Sequence, residues 1–153
     1  MEIEIITINE DPLKETKGFG IGLNKSLSNI KMVHWYSSRY ERHIILGKLY
    51  DDLSDLFDKL QEEIIGTTNE YRVSFPMFES YFSNLDNISN TINENNEDCL
   101  DCYYETVNII KNVLTSLEFN NFITTVKSGI NNTKEDIITR INKANYLLSM
   151  VSL

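Results

Sequence analysis

The stretch from Arg39 to Gly66 admits few structures. Leu46, Leu49, Leu53, Phe57, Leu60 and Ile64 recur every three or four residues, the spacing that gathers side chains on one side of an α-helix. At roughly 100° per residue the same helix sets Asp51, Asp55, Asp58 and Glu62 nearly opposite Leu46, Leu53, Phe57 and Leu60. A stripe of that length must be buried against other helices, so the chain is read as a helical bundle.

The rest of the sequence supplies the partners. A helix is expected from about Gly20 to Tyr36, with Leu23, Leu27, Ile30 and His34 on one face. Ser37 and Ser38 interrupt it, and Ser38-x-x-Glu41 has the form of a capping box that would start the next helix at Arg39. That helix runs to Ile65, stops at Gly66 and is followed by the polar loop TTNEY. Pro76 opens a third segment carrying Phe78, Tyr81, Phe82, Leu85 and Ile88. Residues 89–98, SNTINENNED, read as a solvated loop.

A further helix is expected from Asp98 to Phe119 (Val107, Ile110, Leu114, Leu117), and residues 119–130 extend it or form a short extra turn. Thr133 then caps a last helix through Ile137, Ile141, Ala144, Leu148 and Val151. The expected fold is an all-α four-helix bundle, a single domain with a helical insertion between its second and third long helices. Residues 1–18 are read as a flexible or extended N-terminal arm; GFGIGLNKS lacks P-loop spacing and a preceding strand.

The formal charge of −9 over 153 residues, with Lys and Arg scattered, offers no footprint for nucleic-acid phosphates. No apolar run reaches the roughly 18–20 residues of a membrane span, and MEIEIITINED does not read as a signal peptide. Two cysteines, Cys99 and Cys102, make no disulfide framework, so a reducing, cytoplasmic setting is the default expectation. A single CxxC is at most half a zinc site, and the pair reads as structural or incidental. Abundant Asn and Ile suit an AT-rich genome, phage genomes among them.

Chemistry concentrates in residues 34–66. His34 and His43 flank the turn, and Asp58-x-x-x-Glu62 places two carboxylates on one helix face. Imidazole plus carboxylate is the donor set of non-haem iron. On spacing alone, however, this is an amphipathic helix with a solvated acidic face. Tyr36, Tyr40 and Tyr50 lie nearby, and Arg39-x-x-x-His43 is one residue short of the Arg/His motif of HEPN ribonucleases.

The segment resembles the ferroxidase region of Dps-like miniferritins on His34-Trp35, His43, Asp58, Glu62 and Gly66, and residues 133–150 are similar to that family's closing helix. The resemblance implies a ferritin-like four-helix bundle and a homo-oligomer, at least a dimer, in which the histidines of one chain face the Asp58/Glu62 pair of another. It further implies Fe(II) binding, oxidation by peroxide or oxygen, and storage of ferric oxide. The implied ligands are His34, His43, Asp58 and Glu62. This chain departs from the family in a shorter turn between the histidines and in Gly47, where the family carries a carboxylate. Asp51, one helical turn or about 5.4 Å further on, is the nearest substitute and the fifth candidate ligand. The alternative is a metal-free interaction or structural protein that binds a host or virion protein.

Overall fold

The computed structural model describes residues 12–67, 72–74, 78–120 and 124–151. They form α1 (Pro12–Tyr36), α2 (Tyr40–Thr67), β1 (Arg72–Ser74), α3 (Phe78–Phe82), α4 (Leu85–Glu94), α5 (Leu100–Ser116), β2 (Glu118–Asn120) and α6 (Thr124–Val151). The described residues are thus mostly helical, with one short ribbon among them. Four long helices carry the core, and α3 and α4 lie in the connection between the second and third of them.

The stripe expected on α2 is the one buried: Leu46, Leu49, Leu53, Phe57, Leu60 and Ile64. It packs between α1 and α6, while α1 also meets α4 and α5. Leu23, Ile30, Val107, Ile110, Leu114, Ile137, Ile141 and Leu148 complete the interior. Each such aliphatic side chain, fully withdrawn from water, contributes roughly 1.5–3 kcal/mol. Tyr103 is also fully buried, and its hydroxyl donates to Asn145 Oδ1 at 2.7 Å, joining α5 to α6.

Cross-links between helix ends give the directions. Ser38 in the α1–α2 turn bonds Asp98 just before α5, and Arg39 Nη1 donates to the Val151 carbonyl at the end of α6 (2.9 Å). At the other end, β1 after α2 pairs antiparallel with β2 after α5, Val73 opposite Phe119. There too the Thr133 hydroxyl of α6 donates to Glu63 Oε1 of α2 (2.6 Å). Helices α2 and α5 therefore run parallel, each antiparallel to α1 and α6. The arrangement is two αα-hairpins joined by one crossover that returns along the bundle.

Several boundaries differ from expectation. Residues 12–18 belong to α1 rather than to an arm, with Pro12 at the first helical position, where its missing N–H costs nothing. Two glycines further along α1 allow close approach. A Cβ on Gly20 would stand 2.7 Å from Gln61 Nε2, and one on Gly22 would overlap the Phe82 ring. The nucleotide-like GFGIGLNKS is accordingly plain helix.

Nor is Ser38 a helix cap: its N–H and its hydroxyl both bond Asp98, at 2.7 and 2.5 Å. The third segment breaks at Ser83, whose hydroxyl turns back to the Ser80 carbonyl. Residues 89–94, expected in a loop, continue α4 because Ile92 extends the buried Leu85 and Ile88 stripe. Buried Asn29 holds that helix to α1, donating to the Leu85 carbonyl and accepting from Ser89. Helix α5 ends at Ser116 and β2 follows, so residues 118–120 are neither an extension nor a helical turn. Thr133 lies inside α6, fully buried, where its bonds to Glu63 and to the Gly129 carbonyl replace a capping role. The EIEIITI segment, the loop residues 68–71 and Pro76 lie outside the described residues.

Candidate functional site

His34 ends α1 and His43 begins α2, and the hairpin brings them face to face. Their rings stack with centroids 4.0 Å apart and planes 16° apart. His34 Nδ1 lies 2.6 Å from the His43 carbonyl, and His43 Nδ1 lies 2.8 Å from the His34 carbonyl. A carbonyl only accepts, so each Nδ1 carries the proton and donates. In the neutral rings that leaves both Nε2 atoms as lone-pair nitrogens, the tautomer that metal-binding imidazoles adopt when a backbone carbonyl orients them.

The reciprocal pair has a local cause. The Ser38 N–H, which a continuing helix would offer to the His34 carbonyl, is taken by Asp98 Oδ1. An end-of-helix carbonyl is thereby freed, and the His43 imidazole satisfies it. Asp98 also accepts from Arg42 Nη1 at 3.4 Å. The Ser38 hydrogen bonds, ahead of the Arg42 and Arg39 charges, hold the Asp98 carboxyl below the usual carboxylate range against the opposing effect of burial. A depressed folded-state pKa adds stability above the unfolded value near 4 and loses it as pH falls through the folded value. Asp98→Asn should therefore lower stability by about 1 kcal/mol at pH 7. The gap to wild type should close below about pH 4 in a thermal-melt series.

Beside the histidines lies a cavity of about 590 Å³, lined by Lys31, Trp35, Gly47, Lys48, Tyr50, Asp51 and Asp52. Lys31 is held over two rings, its Nζ 5.2 Å from the Trp35 centroid and 4.9 Å from that of Tyr50. Asp52 is paired with Lys48 at 3.4 Å and with Arg140 at 3.6 Å. Asp51 is exposed and makes no ion pair among the described residues. Two lysines thus face two aspartates, and the lining carries no net negative charge.

Of the five sequence-predicted ligands, His34, His43 and Asp51 share this cavity. Asp58 and Glu62 do not. Fifteen residues of helix separate His43 from Asp58, about 22 Å along the axis. Both carboxylates are exposed, and Asp58 borders a different cleft, with Asn24, Asp55 and Gln61. Among the described residues no three His, Cys, Asp or Glu side chains converge on one point.

The histidine donors fit a borderline divalent cation in chemistry and tautomer, with one geometric condition. An ion about 2.1 Å from a nitrogen must lie near that ring's plane, and two nearly parallel planes at this stacking distance cannot hold the same ion. Each imidazole can serve only its own ion, and within the lining only Asp51 offers a carboxylate with no ion pair among the described residues. Position 47 is a glycine and supplies none, and a Cβ added there would stand 2.6 Å from His34 Cε1.

The ribonuclease-like pair is engaged elsewhere, Arg39 with Val151 and His43 with His34. Sequence reasoning missed the Ser38–Asp98–Arg42 cluster because the same Ser38 satisfies a capping pattern. It also missed Lys31, an ordinary surface residue in sequence. No family model matches the chain, and no curated protein or solved structure matches it.

Proposed function

We propose that the chain is a Dps-like, ferritin-like subunit that self-associates, at least as a dimer, and takes up Fe(II) or another divalent cation between copies. The observation that carries this reading is the separation of its donors. Two oriented imidazoles face a cavity with no net negative charge, while Asp58 and Glu62, with no ion pair among the described residues, stand far along the same helix. A second copy is the simplest source of the missing carboxylates. The up-down-down-up order with one crossover supports the ferritin-like assignment.

Iron in this reading is cargo, oxidised by oxygen or peroxide and stored as ferric oxide. His34 and His43 would hold separate ions through Nε2, with Asp51 as a further donor. The partner copy's carboxylates would neutralise the charge that the imidazoles cannot. A reducing cytoplasm, where Fe(II) persists and Cys99 and Cys102 stay thiols, is the compartment the reading needs.

Fe(II) added to purified protein should give ferric absorbance faster than buffer alone. The Asp58→Ala, Glu62→Ala variant should fall to the buffer rate. Wild type at the buffer rate would sink the ferroxidase reading and leave a metal-free interaction protein, phage-type, docked on a host or virion protein. One observation favours that second reading: Trp35, Tyr36, Tyr40 and Ile44 are 56, 67, 74 and 49% exposed around the α1–α2 turn.

A further inference from the structure

The cysteines lie outside everything described so far. Cys99 occupies the N-cap position of α5, yet its side chain caps nothing and only donates weakly to the Glu97 carbonyl at 3.4 Å. Residues that cap well carry a side-chain oxygen, so helix stability does not explain the sulfur. Cys102 lies one helical turn on, three residues along α5 and so on the same side of the helix. Both are free thiols, 9% and 5% exposed. A cavity of about 390 Å³ reaches Cys99 between the ends of α1 and α4, and Met32 is among its lining residues.

We propose that Cys99 and Cys102 form a binding site for a thiophilic monovalent cation, copper(I), with Met32 as an auxiliary soft donor on its approach. Thiolate and thioether sulfur select this ion over harder cations. Zinc or divalent iron would need further His, Cys, Asp or Glu ligands, and no such third side chain converges here among the described residues. Copper(I) is satisfied by two sulfurs. Binding is an exchange: two S–H bonds break, two Cu–S bonds form, two protons leave, and no electron is transferred.

The bis-thiolate complex carries one negative charge, and the N-terminus of α5 favours it there. Burial, then Cys99, then Glu105 and Asp101 push the Cys102 thiol up to about 11. Because binding releases thiol protons, copper uptake should strengthen as pH rises.

The test is anaerobic competition between the reduced protein and the copper(I) complex of bathocuproine disulfonate, read as loss of the chelator's colour. Wild type should withdraw one equivalent. Cys99→Ser and Cys102→Ser should each weaken uptake by more than the roughly 10–100-fold typical of losing an outer-shell partner. Met32→Leu should weaken it less than either. The His34→Ala, His43→Ala variant should keep its equivalent, which separates this site from the iron reading. Failure of wild type to compete, or undiminished uptake by a cysteine variant, overturns the proposal. X-ray absorption of the copper-loaded wild type tests it without any variant: a sulfur shell is expected, and nitrogen or oxygen ligands overturn it.

Discussion

Co-expressing the His34→Ala, His43→Ala variant with the Asp58→Ala, Glu62→Ala variant should restore ferric-product formation that neither shows alone. If each site takes imidazoles from one subunit and carboxylates from its two-fold partner, a mixed dimer holds one intact site and one doubly broken site. Random pairing makes half the dimers mixed, so the mixture should recover about a quarter of wild-type activity. A site built within one chain predicts no recovery at all. The measurement is the initial rate of ferric absorbance at equal subunit concentration, against each variant alone. The two outcomes differ by far more than assay scatter, because each pure variant is expected at the buffer rate. The physical basis is the long stretch of α2 between His43 and Asp58, which no side-chain rotation can bridge.

The second large effect concerns Gly47. Placing a carboxylate there, as Gly47→Asp, would supply the ligand that the proposed Dps-like reading expects, yet the first atom of the new side chain meets His34 Cε1 at 2.6 Å. The imidazole must leave its stack and its bond to the His43 carbonyl. Overpacking of this kind costs about 1–3 kcal/mol, offset by a few tenths from replacing a mid-helix glycine. A fall in Tm of several degrees is expected, at about 2–4 °C per kcal/mol for a chain of this size. The decisive comparison is with a His34→Ala background, where the ring is already gone and Gly47→Asp should cost little. A coupling near zero in that double-mutant cycle would show that the glycine and the imidazole do not compete for the same space.

The long helices were legible because their signals are periodic. All six residues expected to bury on α2 do so, and the four long helices with a helical insertion follow from repeats of the same kind. What escaped was chemistry that depends on distant partners. Ser38-x-x-Glu41 satisfies a capping pattern locally, but Asp98, sixty residues away, takes both donors of Ser38. Nothing local to Gly20 and Gly22 shows that Gln61 and Phe82 arrive against them. Thr133 resembles a helix start until Glu63 supplies a partner inside the bundle. The ribbon joins two three-residue segments from opposite sides of the crossover, too short to announce themselves in sequence.

For the histidines, the sequence carried the residue types but not the tautomer. Spacing put two imidazoles near a turn. Only the folded hairpin shows that each donates Nδ1–H to the other's backbone and keeps Nε2 in reserve. Their stacking could not be read from the sequence either, and it is what separates two single-imidazole positions from one shared ion.

The two-hairpin order also has a kinetic side. Within the α1–α2 hairpin the partners are close in sequence, so loop closure is cheap and the pair can form early. Docking α5 on α1, and pairing β1 with β2, must close a much longer loop. A ribbon of three residues per strand has little stability of its own and depends on the helices already being in place. Folding should thus begin within the hairpins and end at the crossover, and the end of the bundle farthest from the histidines should be the last to form and the first to open.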